Sequence, residues 1–315
     1  MKTAILFAGQ GAQAVGMGQE FYEKYPAFAA ALDKAQTLVD FDLKKLMFEG
    51  PAEQLSRTAY TQPALAAYAA GAVAVLREKG FQPDYVAGLS LGEYSALHAA
   101  GVFDLETLIR TTAFRGKAME SCGKGLDTKM SAVLGLEAET VSRLCAEASD
   151  ARGEIVEVSN YNAKGQIVIS GIRVAVEEAE RMAMEAGAKR CMPLNVSSAF
   201  HTCFMQQASE DLKKYFETIY FGKMQVPVIF NATGAPLVME QTGDTAMVKN
   251  ESAEIQKLLE LQVKTGVRMM QTILFLKEAG VEQIIEVGPG KTLAGFVRKT
   301  VTGVKVIPWE KYVEM

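Results

Sequence analysis

The chain has 315 residues, of which 49% are hydrophobic and 22% are charged. A chain of this length and composition folds around a substantial core, which excludes intrinsic disorder, a collagen-like repeat and a coiled coil. The formal net charge of −4 provides no general basic field, so nucleic acid is not expected as the main ligand.

Cysteine usage and apolar runs indicate the expected compartment. The four cysteines show no CxxC pair and no regular spacing, which predicts reduced thiols, and we expect neither a metal site nor a bound cofactor. The N-terminal apolar run is too short for a signal peptide, and the stretch from Ala64 to Leu76 is shorter than the roughly 20 residues that span a bilayer. A soluble, cytoplasmic protein that does not bind membranes is therefore expected.

Short apolar runs alternate with longer helical patterns in the N-terminal part of the chain. The run TAILFAG precedes helical patterns at Gly18–Asp40 and Thr61–Lys79, and YVAGLS precedes a helix that opens at Leu91. The same alternation returns near the C-terminus with VPVIFNAT, a helical Glu251–Ala279, VEQIIEVGPG and VKVIPW. It predicts an α/β fold in which both ends of the chain contribute strands to one parallel sheet, covered by helices on both faces.

The central region has a different order of elements. Strand-like MSAVLGL, EIVEVSNYN, QIVISG and KRCMPLNV, with helical patterns at Glu137–Ser149 and Val174–Ala186, give the order β-α-β-β-α-β. That order is typical of a small antiparallel sheet backed by two helices. We predict a ferredoxin-like subdomain at residues 127–196, inserted into an α/β-hydrolase-like domain formed by residues 1–126 and 197–315, with a ligand cleft between them.

The strongest chemical signal is the GxSxG motif Gly88-Leu89-Ser90-Leu91-Gly92. It directly follows a strand pattern and directly precedes a helical one, which is the context of a nucleophile elbow. The alternative is a glycine-rich turn in which Ser90 only caps the helix. A catalytic serine also needs two oxyanion donors, for which the amide of Leu91 and an amide of the loop Gly9–Gln13 are candidates.

The choice of a base is narrow because the chain contains only two histidines. His98 lies eight residues after Ser90 on the same predicted helix, about 12 Å along its axis, and is expected to be structural. His201 follows the inserted region and gives the order of nucleophile and then base that α/β hydrolases have. No acidic partner for His201 stands out, and a main-chain carbonyl could orient its ring equally well.

Two glycine-rich motifs and one arginine leave alternatives. The glycines at positions 9, 11, 16 and 18 miss the third glycine of a dinucleotide-binding GxGxxG, and Gly288–Thr292 lacks the first glycine of a phosphate-binding P-loop. Arg115 follows a mostly apolar helical pattern. The residues alone favour a surface position for Arg115 over an anion-binding role, although a guanidinium suits a carboxylate.

Several motifs, in order along nearly the whole chain, resemble the malonyl-CoA:acyl-carrier-protein transacylases of fatty-acid and polyketide synthesis. They are FAGQGAQAVGMG, TQPALA, GLSLGEYSAL, RGKAM, NYNAKGQIVISG, SSAFH and EVGPGKTLAGFVRK. The resemblance implies transfer of a malonyl group from malonyl-CoA to the phosphopantetheine thiol of acyl carrier protein through a malonyl-serine. We expect a monomer that supplies fatty-acid synthesis and uses CoA only as part of its substrate.

The resemblance also implies a role for individual residues. Ser90 would be the acylated nucleophile and His201 its base, and the amides of Gln10 and Leu91 would be the oxyanion donors. Arg115 would bind the free carboxylate of the malonyl group, contrary to the surface position that the residues alone favour.

Further positions follow from the same resemblance. The main-chain carbonyl of Gln262 would orient the histidine, and Phe200 matches the family members that select malonyl over methylmalonyl. The chain departs from the family at Leu89, commonly histidine, and at Gly266 and Met269, where proline and an aromatic residue are frequent.

Other functions stay open at this point. A trans-acting polyketide-synthase acyltransferase, a serine thioesterase or esterase, and a catalytically silent scaffold domain would share much of the same pattern. Because carrier proteins are acidic, we expect a locally basic docking surface, with Lys117, Lys124, Lys189 and Arg190 as candidates.

Overall fold

The computed structural model describes residues 1–196, 198–237 and 244–315, with the side chains of 244–250 excepted. Its main sheet contains β1 (Lys2–Phe7), β2 (Tyr85–Gly88), β7 (Val228–Phe230), β8 (Ala235–Pro236), β9 (Val281–Val287) and β10 (Lys305–Pro308). The six strands lie in the order β10-β9-β1-β2-β7-β8. Neighbours from β10 to β7 run parallel, and β8 pairs antiparallel with β7. Both ends of the chain therefore contribute strands, as predicted.

A second sheet is formed by the central region. It contains β3 (Thr128–Leu134), β4 (Val156–Ala163), β5 (Gln166–Ile172) and β6 (Arg190–Pro193), together with α8 (Ala138–Arg152) and α9 (Arg173–Glu185). Its order is β4-β5-β3-β6 and every neighbouring pair is antiparallel. This confirms the ferredoxin-like arrangement. Its elements lie within the range predicted for the subdomain, while residue 197, at the predicted boundary, lies outside the described residues.

The other helices pack around the main sheet. They are α1 (Gln19–Lys24), α2 (Pro26–Gln36), α3 (Leu43–Glu49), α4 (Ala52–Leu55), α5 (Thr58–Glu78), α6 (Gly92–Ala99), α7 (Leu105–Cys122), α10 (Gln206–Phe216), α11 (Asp244–Gln262), α12 (Met269–Glu278), α13 (Thr292–Thr300) and α14 (Trp309–Tyr312). Side chains of β1 alternate between two hydrophobic clusters, with Ile5 and Phe7 in one and Ala4 and Leu6 in the other. Both faces of the sheet are therefore covered.

For two helical patterns the prediction of one continuous helix is wrong. The pattern at Gly18–Asp40 is broken because Tyr25 is extended and Pro26 begins a new helix, as expected for the residue before a proline. The pattern at Glu251–Ala279 is broken between α11 and α12, where Val267 exchanges main-chain hydrogen bonds of 2.8–2.9 Å with β4. Gly266 lies in this break, and a Cβ there would come within 2.8 Å of the Val158 carbonyl oxygen.

Helix α5 is a core helix. It is long and apolar enough to cross a membrane, but 89% of its most apolar stretch is buried inside the protein. The C-terminal Trp309 anchors against it, because the Trp309 indole N–H donates to the Tyr68 hydroxyl at 3.0 Å. The Trp309 ring also stacks on Phe28 at a centroid distance of 5.9 Å. The C-terminus thereby stabilises the helix that carries part of the site.

Candidate active site

Ser90 lies in a tight turn between β2 and α6 and has a left-handed φ of 51°. Glycine is required at positions 88 and 92 because other main-chain atoms lie too close to leave space for a Cβ. A Cβ at Gly88 would lie 1.9 Å from the carbonyl carbon of Gly92, and one at Gly92 would lie 2.2 Å from the Phe7 oxygen. The Ser90 hydroxyl bonds to side chains of the site, and α6 has no side-chain cap. The turn thus has the geometry of a nucleophile elbow.

His201 is placed between the hydroxyl of Ser90 and a main-chain carbonyl. Its Nε2 lies 2.7 Å from Ser90 Oγ, and its Nδ1 lies 2.8 Å from the oxygen of Gln262. Because a carbonyl only accepts hydrogen bonds, Nδ1 carries the ring proton and Nε2 is left to accept from the serine. Burial, together with the nearby Arg115 cation, lowers the pKa of His201 to about 3. The imidazole is therefore neutral near pH 7, as a base must be.

Gln262 can orient the histidine because of its place in the fold. It is the last residue of α11, and carbonyls in the last turn of a helix have no partner within the helix. The break after α11 leaves this carbonyl directed at the ring. The other histidine, His98, is half-buried on α6 and its Nδ1 lies 2.9 Å from the Phe103 oxygen, in keeping with a structural role.

Arg115 is completely buried, so the surface position favoured by the residues alone is wrong. Its Nη1 donates to Gln62 Oε1 at 2.9 Å, and its Nη2 donates to Gln262 Oε1 at 2.9 Å and to Ser90 Oγ at 3.2 Å. The guanidinium also lies 5.0 Å from the centre of the Tyr94 ring. In the part of the chain that the structure describes, Arg115 makes no ion pair.

A cavity of about 130 Å³ lies in front of Ser90 and His201. It is lined from the main domain by Phe200 and Gln62, and from the second sheet by side chains that include Asn160. An adjoining cavity of about 210 Å³ continues along the loop after β1 to the start of α13. The two share lining residues from the loops after β1 and β2 of the main sheet and from β4 and β5 of the second sheet. This confirms the cleft predicted between the two bodies of the protein.

The two residues whose amides were predicted as oxyanion donors belong to the wall of this cavity. Gln10 and Leu91 line it together with Ser90. Among the described residues, neither main-chain N–H donates to a protein group, so both are available to a bound oxyanion. The Gln10 side chain is held separately, because its Nε2 donates to Thr58 Oγ1 at 3.0 Å.

The glycine-rich turn Gly288–Thr292 does not form a phosphate site. The buried carboxylate of Glu286 accepts hydrogen bonds from the amides of Leu293 and Ala294 at 2.9 and 3.1 Å. These are N–H groups of the first turn of α13, which a phosphate would otherwise use. No cluster of three or more His, Cys, Asp or Glu side chains suited to a metal occurs within the described ranges.

Three contributors to the site were not identified from the sequence. Gln62 lies in the motif TQPALA, which could have marked it, but its contact with Arg115 joins residues 53 positions apart. Asn231 contacts the elbow across 141 positions, and Glu93 contacts Asn231 across 138. Only the position of Glu93 within GLSLGEYSAL offered a signal for this pair.

The fold and the serine–histidine pair define an acyl transferase domain: the family model of that description matches residues 5–313. The malonyl CoA-acyl carrier protein transacylase of Bacillus subtilis (strain 168) is 39% identical over 306 residues, covering 97% of this chain and 92% of the relative. The crystal structure of MCAT from Streptococcus pneumoniae superposes with a TM-score of 0.90 at 39% identity, covering 99% of both chains.

A further solved structure shows a type II PKS acyl-carrier protein in complex with its malonyl-transacylase. It superposes with a TM-score of 0.89 at 36% identity, covering 97% of this chain and 95% of that chain. The chain belongs to the malonyl CoA-acyl carrier protein transacylase family.

Proposed function

We propose that the protein transfers a malonyl group from malonyl-CoA to the phosphopantetheine thiol of an acyl carrier protein, through a malonyl ester of Ser90. The supporting observation is the buried Arg115 guanidinium, 3.2 Å from Ser90 Oγ and bonded only to neutral groups. Glu93 interacts electrostatically with this guanidinium, but burial raises the pKa of Glu93 to about 8, so Glu93 is mostly protonated near pH 7. A buried cation without a counter-charge is costly. The free carboxylate of a malonyl group on Ser90 would supply that charge and suits the planar guanidinium.

The first half-reaction follows from the contacts of Ser90. His201 Nε2 takes the hydroxyl proton while Oγ forms a bond to the thioester carbonyl carbon. The resulting oxyanion accepts hydrogen bonds from the amides of Gln10 and Leu91, each worth roughly 3–4 kcal/mol in such sites. When the intermediate collapses, the carbon–sulfur bond breaks and the imidazolium returns its proton to the thiolate, so that CoA leaves as the thiol.

The second half-reaction reverses these steps with a different thiol. The carrier thiol gives its proton to His201 and attacks the ester, the bond from carbon to Oγ breaks, and Ser90 regains a proton. The group that orients His201 is the uncharged carbonyl of Gln262. We expect this to leave a weaker base than an Asp–His pair, which favours attack by thiols over attack by water.

We propose that the two cavities hold the two parts of the substrate. We assign the malonyl group to the smaller one, where Phe200 is 6% exposed and lines the wall beside His201. We expect this aromatic wall to exclude a methyl branch, which would make malonyl the preferred substrate. The pantetheine arm is assigned to the adjoining cavity, which extends past Gln10 and Asn162.

We propose that the acidic carrier protein docks on the second sheet beside this cavity. Lys189 and Arg190 are exposed at the start of β6, and Arg190 pairs with Leu134, which pairs with the cavity residue Gln166. Lys117 is already paired with Asp40 at 3.0 Å and is a poorer candidate. Changing Lys189 and Arg190 to glutamate should raise the KM for carrier protein and leave the KM for malonyl-CoA unchanged. If the KM for carrier protein is also unchanged, this surface is not the docking site.

We also propose a cytoplasmic location. The four cysteines are unpaired, which fits a reducing compartment.

Mass spectrometry after mixing with malonyl-CoA tests the proposed function. We expect a mass gain of about 86 Da from a malonyl group replacing one hydrogen, mapped to the peptide that contains Ser90. The gain should be absent in Ser90→Ala and present in Ser209→Ala, a control in which another buried serine hydroxyl is removed. An unmodified wild-type protein, or an adduct that persists in Ser90→Ala, would overturn the proposal.

A further inference from the structure

The side chain of Asn231 bridges the two ends of the nucleophile elbow. Asn231 directly follows β7 and is completely buried. Its Oδ1 accepts from the main-chain N–H of Ser90 at 2.6 Å, and its Nδ2 donates to the oxygen of Gly88 at 2.7 Å. One short side chain therefore satisfies polar main-chain groups on both sides of Leu89.

Asn231 is itself fixed by its neighbours. The main-chain N–H of Asn231 donates to a carboxyl oxygen of Glu93, and the main-chain oxygen of Asn231 accepts from the N–H of Arg268 at 2.9 Å. Glu93 is completely buried in the first turn of α6, only three residues after Ser90. Asn231 and Glu93 thus connect β2, the turn, α6 and β7 into one hydrogen-bonded unit.

The turn at Ser90 needs such support. A non-glycine residue held in the left-handed region costs on the order of 1–3 kcal/mol and persists only when its surroundings fix it. Because Oδ1 of Asn231 occupies the N–H of Ser90, that N–H is not available to an oxyanion, unlike in serine enzymes whose nucleophile supplies its own amide. An amide side chain can accept from one group and donate to the other, whereas an ionised carboxylate only accepts.

We propose that Asn231 is a positioning residue for the nucleophile: it holds the Ser90 main chain in the turn that places Oγ 2.7 Å from His201 Nε2, and Glu93 holds Asn231. The inference rests on the proposed function, since it takes Ser90 as the acylated residue. Asn231 does not line the cavity in front of Ser90, and its side chain bonds to main-chain groups rather than to Ser90 Oγ or His201 Nε2. Its effect is therefore exerted through the main chain of Ser90.

Asn231→Ala should slow acylation without weakening substrate binding. Displacement of a reacting group by about 1 Å can cost roughly a hundredfold in rate, and we expect a loss of that size in the single-turnover acylation rate constant. The apparent Kd for malonyl-CoA should change less than threefold or so, because Arg115 and the cavity are retained. Rapid quenching and mass spectrometry, normalised to the fraction of protein that can be acylated, give both quantities.

Asn231→Asp provides a conservative rescue. A protonated carboxyl group offers one donor and one acceptor, as the amide does, while the ionised form offers no donor to the Gly88 oxygen. The ratio of the Asn231→Asp rate to the wild-type rate should therefore rise as the pH falls from about 8 to 5, and the ratio for Asn231→Ala should stay constant. The titratable groups around this position are Glu93, Arg115 and His201. Because burial raises the pKa of Glu93 to about 8, Glu93 titrates within this pH range and couples to the introduced carboxyl group. The ratios are therefore also measured in a Glu93→Gln background, where that titration is absent.

A matched pair of variants separates positioning from stability. Glu93 and Glu178 are both buried side chains whose carboxyl oxygens accept hydrogen bonds, and Glu178 lies on α9, which lines neither cavity. Both Glu93→Ala and Glu178→Ala should lower the Tm, but only Glu93→Ala should lower the acylation rate constant, by about tenfold or more. Glu93→Gln keeps an acceptor for Asn231 and should retain most of the rate.

The proposal is overturned if Asn231→Ala acylates at the wild-type rate after normalisation, or if the Asn231→Asp ratio is independent of pH. An equal rate loss in Glu178→Ala would also contradict it. Failure of the proposed function looks different, because wild-type protein would then form no malonyl adduct on Ser90. If Asn231→Ala does not fold, the pH dependence of Asn231→Asp decides the question alone.

Discussion

Replacing Arg115 by alanine should separate malonyl recognition from the chemistry at Ser90. The guanidinium is completely buried and held by Gln62 and Gln262, so a carboxylate bound to it would be shielded from water. Removing one partner of a buried charge pair costs about 3–5 kcal/mol, which corresponds to a loss of roughly a hundred- to several-thousand-fold in kcat/KM. An acetyl group has no carboxylate, so its loading should fall only about tenfold, because the hydrogen bonds of the guanidinium to Ser90 Oγ and Gln262 Oε1 are lost.

The assay compares initial rates of adduct formation from malonyl-CoA and acetyl-CoA by mass spectrometry. In Arg115→Ala, the preference for malonyl over acetyl should fall by at least tenfold or so. Arg110→Ala is the matched control, because Arg110 lies on the same helix but is exposed and paired with Glu106 at 2.9 Å. Equal losses for both substrates, or full retention of malonyl loading, would refute the assignment of Arg115.

Three further changes test other parts of the site. Because burial and Arg115 hold the pKa of His201 at about 3, kcat/KM should stay level from about pH 8 to 5. In Arg115→Ala, the decline of kcat/KM on the acid side should move to higher pH. A decline in the wild-type protein near the ordinary histidine pKa of about 6.5 would contradict this. Phe200→Ser should raise loading from methylmalonyl-CoA relative to malonyl-CoA by about tenfold, the usual effect of making room for one methyl group, and an unchanged ratio would remove its selective role. In urea denaturation, Gly92→Ala should lower the free energy of unfolding by about 3 kcal/mol, because the added Cβ would clash with the main chain. Gly295→Ala in α13 should raise it by up to about 1 kcal/mol, because a Cβ there meets nothing within 4 Å. Similar effects at both positions would contradict the close backbone approach at Gly92.

The layers of the fold could be predicted because their signals are local. Buried parallel strands such as β1 and β9 are apolar on both faces, and the β-α-β-β-α-β order of the central region is visible as a change of pattern. Helix ends were less predictable. Val267 interrupts a helical pattern because it pairs with β4, a contact between segments more than a hundred positions apart that no local pattern contains.

The serine–histidine pair could be predicted for a different reason. A GxSxG motif in its strand–helix context and the scarcity of histidines were sufficient to select Ser90 and His201. Arg115 was not accessible from the residues alone, because the groups that surround its side chain come from α5 and α11, 53 and 147 positions away. The resemblance to the transacylase family placed it correctly in the site, since a family pattern carries tertiary information that composition and periodicity do not.

The most direct test of acyl transfer starts from malonylated protein freed of malonyl-CoA. When holo-acyl carrier protein is added, loss of the adduct from Ser90 should be matched by malonyl on the phosphopantetheine thiol, and should be much faster than loss to water alone. Carrier protein without its phosphopantetheine should have no effect. If the adduct is instead lost to water at the same rate with and without the carrier thiol, the protein is a hydrolase and the assignment as a transferase is contradicted.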